Sequence, residues 1–250
     1  MTSLTMTSNY TPAALAEVDY GARFLTELIR LEKPFFFLRF GDGFLECVEK
    51  KPGMTCDLEK YSEPLAESLL TAWYSVVNRS DLILGDWQTA AFTAADEYSR
   101  YREQYEALIF PHRPHRIHFE SLLLMRTSEA LVNFYRTVRN DKRRKLFMGP
   151  EGNKGAADML KADFLPVPMD NLYEYRKDIA QALHSRDFDI LLYGAGMAGN
   201  IPVITHAYGR DNVTYVNLGS AMDPLFRGTS RRQQLPPSVL REMFAELLID

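Results

Sequence analysis

Two cysteines in 250 residues, Cys47 and Cys56, are too few for a disulfide framework and imply a reduced, cytoplasmic-type protein. No run of about 20 apolar residues is present to span a bilayer. Ile190–Gly209 carries no formal charge, but its Gly194, Gly196, Gly199, Asn200, Pro202 and His206 read as strand, glycine turn and helix. The polar start, Met1 to Pro12, lacks a basic patch followed by an apolar core, so neither secretory signal nor membrane anchor is expected. Repeats and low-complexity tracts are lacking too. So is an excess of one charge: a formal net of −4 excludes a globally basic nucleic-acid coat.

What remains is ordinary globular composition, 46% hydrophobic and 25% charged, which excludes disordered, collagen-like and fibrous classes. The charge is unevenly placed. Residues 1–110 hold 10 basic and 17 acidic side chains, net −7. Residues 111–150 hold 9 and 3, net +6, and residues 151–250 hold 10 and 13, net −3. A local anion site is therefore open to this chain.

Short apolar segments alternate with helix-length ones. Strands are expected at 35–40, 81–86, 117–119, 145–149, 164–168, 189–193 and 213–218. Helices are expected at 11–31, 57–77, 90–108, 121–138, 155–161, 172–184, 198–208 and 237–248. This is an α/β, Rossmann-like, mostly parallel sheet flanked by helices. One compact domain over 1–250 is expected, with an N-terminal helical segment (1–33) and a C-terminal tail and helix (227–250). Ligands of such sheets bind beyond the carboxyl ends of the strands, so the informative loops follow Phe40, Gly85, Gly149, Tyr193 and Leu218.

Arg39-Phe40-Gly41-Asp42-Gly43 places a carboxylate between two glycines. Asp42 suits a hard cation such as Mg²⁺ or Mn²⁺, and Arg39 a phosphate; equally, this is a turn with a structural ion pair. Gly149-Pro150-Glu151-Gly152-Asn153-Lys154-Gly155 leads into a helix and suits an anion, though it lacks Walker A spacing. Gly194-x-Gly196-x-x-Gly199 follows a strand and precedes a helix, as a dinucleotide turn does. The acid that should end the next strand is missing, because Asn217 stands there. Gly219 and Ser220 continue into Asp223, a second carboxylate at the same edge or merely a turn cap before Pro224. Two acids and a basic segment can hold a metal-bound diphosphate. His112, His115 and His118 invite a zinc reading that Pro111 and Pro114 oppose. Asp86 and Glu120 are carboxylates from which a general base can come. Tyr98, Tyr101 and Tyr105 suit packing better than stacking.

Phe37-Leu38-Arg39-Phe40-Gly41-Asp42-Gly43 resembles the opening "RFGDGE" signature of the GT-D type glycosyltransferases, once catalogued as a domain of unknown function. The resemblance continues through Gly149-Pro150-Glu151-Gly152, Gly194-Ala195-Gly196 and Leu218 to Asp223, and so covers about Phe35 to Asp223. It implies a Rossmann-like sheet that binds a nucleotide-diphosphate sugar, with a divalent metal on an Asp-x-Glu motif. Asp42 matches the Asp, but Phe44 stands where that family has Glu. Asp42 with Asp223 is the substitute metal pair.

On this reading Arg39, Gly41, Gly43, Gly149, Glu151, Lys154, Gly194, Gly196, Gly219 and Ser220 contact the donor, a UDP-sugar. Asp42, Glu120 and Asp86 serve catalysis, and Arg143, Arg144 and Arg231 contact acceptor or phosphate. The acceptor is a hydroxyl of a glycan or glycoprotein, or of a hydroxymethylated base in DNA as for some phage-type enzymes. The latter would need base flipping and a steep salt dependence. Arg227, Gly228, Arg231 and Arg232 suit an anion-contacting flap, and homo-oligomerisation is left open. Two other classes compete: an NAD(P)-dependent oxidoreductase on the Gly194 turn, and a non-catalytic nucleotide- or nucleic-acid-binding module.

Overall fold

The computed structural model describes residues 12–49, 53, 58–86, 103, 106–109, 112, 114–123, 128–228 and 236–248. Tyr98, Tyr101, Tyr105, Arg231, Arg232, Cys56 and most of the helix expected at 90–108 lie outside them.

Seven strands form one sheet: β1 (Phe36–Arg39), β2 (Leu82–Asp86), β3 (His115–His118), β4 (Lys145–Gly149), β5 (Asp163–Pro166), β6 (Ile190–Tyr193) and β7 (Thr214–Asn217). Their order is β3-β2-β1-β7-β6-β4-β5 and every pairing is parallel. The continuously apolar central strands are buried on both faces, as a helix-covered parallel sheet requires.

The helices divide between the faces. On one lie α2 (Asp42–Val48), α3 (Glu63–Val76), α6 (Arg176–His184) and α7 (Asn200–Ala207), which bury Phe44, Trp73, Leu183 and Val203 over Leu38, Leu84 and Leu191. On the other lie α1 (Pro12–Arg30), α4 (Glu129–Asn140), α5 (Lys154–Leu160), α8 (Asp223–Phe226), α9 (Pro237–Met243) and α10 (Ala245–Leu248). They bury Leu25, Phe134, Leu160 and Phe244 over Phe37, Phe147 and Leu192. Crossovers toward β3 use the first face and those toward β5 the second, the single hand that parallel connections obey.

Local chemistry sets the helix starts. Ser62 Oγ accepts the Leu65 N–H (3.3 Å), so α3 begins at Glu63 rather than at 57 as expected, with Pro64 in its first turn. Ser128 Oγ accepts the Leu131 N–H (3.3 Å) and donates to Asp19 (2.6 Å), fixing α4 to α1. Helix was expected from residue 121; instead residues 119–122 turn, with both the N–H and the hydroxyl of Ser121 on the His118 carbonyl (3.1 and 2.7 Å). The apolar stretch Ile190–Gly209 resolves into β6, a turn and α7, and no described helix is long and apolar enough to cross a membrane.

Candidate functional site

The strand order makes three clefts at the carboxyl edge, between β1 and β7, β7 and β6, and β6 and β4. The chain leaves β1 for one face and β7 for the other; likewise it leaves β6 for one face and β4 for the other. Neighbouring strands whose exits diverge leave a crevice between them. Four of the loops singled out by sequence therefore meet around β1-β7-β6-β4.

Glycines let them touch. A Cβ on Gly194 would lie 2.5 Å from the Gly219 carbonyl oxygen, and one on Gly149 3.5 Å from the Gly194 oxygen. Gly219 holds φ +55, and a Cβ there would stand 2.6 Å from Arg39 Nη1. A side chain at either place would push the loops apart.

Beneath them runs a buried polar network. Asn200 Oδ1 accepts the Tyr193 hydroxyl (3.0 Å) and Asn217 Nδ2 (2.9 Å). Both amide nitrogens donate to the Arg39 carbonyl, at 3.2 and 3.3 Å, and Asn217 Oδ1 accepts the Gly219 N–H at 2.8 Å. Burial raises the Tyr193 pKa, so the phenol stays neutral and donates. Three side chains thus hold the ends of β1, β6 and β7 together, and sequence reasoning assigned none of them a role. Asn217→Leu removes two donations and one acceptance from this network. We expect it to cost about 2–3 kcal/mol of stability, read from denaturant midpoints; a midpoint equal to wild type would refute the network's cohesive role.

Arg39 fills the middle. It is 7% exposed, donates from Nη1 to the Leu218 carbonyl (3.0 Å), and its guanidinium carbon lies 4.1 Å from the Phe119 ring centre. That contact brings the end of β3 to β1, and with it Glu120, which is buried. His118 Nδ1 accepts the Glu120 N–H (3.1 Å). Burial first, then the Arg39 charge, pull the His118 pKa from 6.5 down to about 4.

Acid sensitivity follows. The folded ring is neutral, while an unfolded histidine titrates near ~6.5, so on acidification the unfolded chain takes up the proton first. Stability from the neutral ring is complete above about pH 6.5 and is lost as pH falls towards 4, approaching about 3 kcal/mol at ~1.4 kcal/mol per unit. Denaturant midpoints from pH 7 to 4.5 check this, with His118→Gln expected to flatten the acid limb; equal slopes in both proteins would count against it.

The chain matches no protein-family model and no curated protein. Among solved structures it is similar to a selenomethionine-substituted structure of domain of unknown function 1792, with TM-score 0.60 and 14% identity over 89% of this chain and 88% of that one. It is also similar to a structure described as showing that the highly conserved domain of unknown function 1792 has a distinct glycosyltransferase fold, with TM-score 0.58 at 14% identity and the same coverage. The protein has this glycosyltransferase fold. The neighbours are of the family that the Arg39–Gly43 motif resembles.

Within the fold, the predicted site residues separate into groups. Arg39, Gly41, Gly149, Gly194, Gly196 and Gly219 lie at the crevice edge, with Ser220 following, and Glu151 and Lys154 are exposed there after β4. Asp42 opens α2, a helix where sequence suggested only a loop, and its side chain lies outside the described residues. Gly43 is buried in the first turn of α2. Asp86 is 1% exposed and ion-paired with Arg116, which also meets Glu106 (2.6 Å).

Asp223, one of the two expected metal ligands, is hydrogen-bonded from both sides. Its Oδ1 accepts Asn153 Nδ2 (3.0 Å) and its Oδ2 accepts Arg227 Nη1 (2.9 Å). Arg227, expected in a mobile flap, also reaches the Met169 sulfur (2.6 Å) and lies over Gly152, where a Cβ would meet its Cγ at 3.0 Å. Among the described residues no three His, Cys, Asp or Glu side chains group as a metal would need. Asp42, the other expected ligand, has its side chain outside the described residues, and no step below passes through a metal.

The basic segment is at the wrong edge. Arg143 and Arg144 precede β4, whereas Gly149 ends it, so they face away from the crevice. They are also engaged: Arg143 with Asp141 (2.7 Å) and the Ile29 carbonyl (3.0 Å), Arg144 with Asp187 and Asp189. This corrects the expectation that they contact acceptor or phosphate beside Asp42 and Asp223. The three histidines do not converge either. His112 bonds Asn78 (2.9 Å), His115 packs on Phe24 (4.6 Å between rings), and His118 serves Glu120. Asn217 is spent inside the network, so it presents no group to a dinucleotide ribose.

Proposed function

We propose that the protein is a nucleotide-sugar-dependent glycosyltransferase that moves a sugar from a nucleoside diphosphate, UDP foremost, to a hydroxyl of a glycan or glycoprotein. The observation that carries this reading is the convergence of the loops after β4, β6 and β7 at glycine contacts, with the buried cation Arg39 at the end of β1 held under the β7 loop. Glycosyl transfer expels a diphosphate, and a fixed positive charge beneath the crevice offsets the negative charge that develops there. Lys154, exposed after β4, adds a second cation at the rim. Of the proposed bases, Asp86 is committed to Arg116. Glu120, next in the chain to the Phe119 that packs on Arg39, is the proposed acceptor of the acceptor's proton. A hydroxymethylated DNA acceptor leaned on the basic segment, whose Arg143 and Arg144 are paired and at the opposite edge; the glycan acceptor is favoured.

The deciding experiment incubates the protein with a panel of nucleotide sugars, with Mn²⁺, Mg²⁺ or chelator, and measures release of nucleoside diphosphate. We expect release from at least one donor, raised by an acceptor glycan. Silence across the panel together with NADH binding would move the assignment to an oxidoreductase. Stimulation by hydroxymethylated DNA alone would move the acceptor.

A further inference from the structure

Asn153 ends the single turn of 3-10 helix between β4 and α5, and at 1% exposure it is enclosed. Asp223 dictates which way its amide faces. An ionised carboxylate only accepts hydrogen bonds, so the amide must turn its nitrogen toward Asp223 Oδ1 (3.0 Å), and Arg227 on Oδ2 holds that carboxylate in place. The amide oxygen then faces another way. It is buried and meets no hydrogen-bond donor among the described residues.

A buried acceptor without a donor is costly, and the fold keeps it at a particular place. A Cβ on Gly149 would lie 3.7 Å from Asn153 Cβ and 3.5 Å from the Gly194 oxygen, so this amide stands where the β4 and β6 loops meet. That is the crevice of the proposed site. We propose that Asn153 Oδ1 is a substrate-recognition atom, accepting a hydrogen bond from a neutral O–H or N–H of the bound nucleotide sugar. The inference rests on the glycosyltransferase reading. Phosphate oxygens bring no hydrogen to such a contact, so its partner is a sugar hydroxyl or a ring N–H of the base. Asp223 is then a positioning residue, acting through the amide it orients.

Calorimetric binding of UDP-glucose, GDP-mannose and dTDP-glucose, and of their bare diphosphates, to wild type and Asn153→Ala tests this. The variant is expected to bind the preferred donor about 5- to 20-fold more weakly. If the bare diphosphate weakens equally, the partner is on the nucleoside, a base N–H or a ribose hydroxyl; if only the sugar-bearing ligand weakens, it is a hydroxyl of the transferred sugar. Analogues of the preferred donor, N-methylated on the base or singly deoxygenated on the sugar, should include one that loses the same factor on wild type and nothing further on Asn153→Ala. That series decides the matter on wild type alone should the variant fail to fold. Wild-type binding with no loss in the variant or in any analogue overturns the inference and leaves the glycosyltransferase reading standing. No binding of any probe by wild type overturns that reading, and this inference with it.

Discussion

Gly194→Ala is expected to lower stability by about 3 kcal/mol, to depress the melting temperature by roughly 6–12 °C, and to abolish nucleotide-sugar turnover. The added methyl would sit 2.5 Å from the Gly219 carbonyl oxygen, closer than such atoms approach. Neither side can yield cheaply, because the obstacle is backbone. The Gly194 N–H is held by the Met148 carbonyl at 2.9 Å, and the Leu218 N–H by the Tyr193 carbonyl at 2.7 Å. Moving either loop breaks a ladder bond and tilts Gly219 away from Asn217 Oδ1. Gly209→Ala is the control. Its φ is +70 but nothing lies within 4 Å of the added Cβ, so only the left-handed backbone cost of about 1–2 kcal/mol applies. A Gly194→Ala protein that melts and turns over like the Gly209 control would show that the two loops do not meet as described.

The glycines that matter here were visible beforehand because close backbone approach has one chemical solution, the lack of a side chain. β4 also runs over the residues expected, Lys145–Gly149, since a continuously apolar strand between polar flanks leaves little choice of bounds. Order along the sheet was not visible: β1 beside β7 depends on which faces the crossovers take. Helix α2 escaped because Gly41 offers no side-chain cap and Gly43 stands in the first turn. It forms through burial of Phe44, Leu45 and Cys47, with the Phe44 ring 4.2 Å from that of Phe40.

The basic segment was misread for a related reason. Sequence proximity to Gly149 put Arg143 and Arg144 near the site, but a strand of five residues at ~3.3 Å each separates the two edges of the sheet. Asn153 and Asn200 were passed over because asparagine beside glycine reads as turn chemistry, and Asn217 was noted only as standing where a ribose-binding acid would be. Their roles depend on distant partners as well as near ones, such as Asn153 with Asp223, 70 positions away, and Asn217 with the Arg39 carbonyl, 178 away.

Arg39→Ala should be the other severe substitution, costing about 3 kcal/mol net and all measurable turnover. Truncation strips the Leu218 carbonyl of a charged donor, worth about 1.5–3 kcal/mol, and the Phe119 ring of its cation, about 1–2 kcal/mol. It also opens a cavity floored by Gly85, whose Cβ would lie 2.8 Å from Arg39 Cγ, and Gly219, which has no side chain to fill it. Relief of guanidinium desolvation offsets part of this, but the charge is already bonded and stacked, so the losses win. Two further variants divide shape from charge. Arg39→Met keeps most of the volume without the charge, and Arg39→Lys keeps the charge without the planar fork that reaches Leu218 while lying on Phe119. If the cation serves the departing diphosphate, Lys should retain some turnover and Met none, even where their melting temperatures agree. The charge has a second signature, because it helps hold the His118 pKa down. Removing it lets the folded-state pKa rise toward the unfolded value, so Arg39→Met should lose less stability between pH 6.5 and 4 than Arg39→Lys does. Equal acid limbs in the two variants would place the guanidinium too far from His118 to matter, and with it the reason for treating Arg39 as the positive centre of this edge.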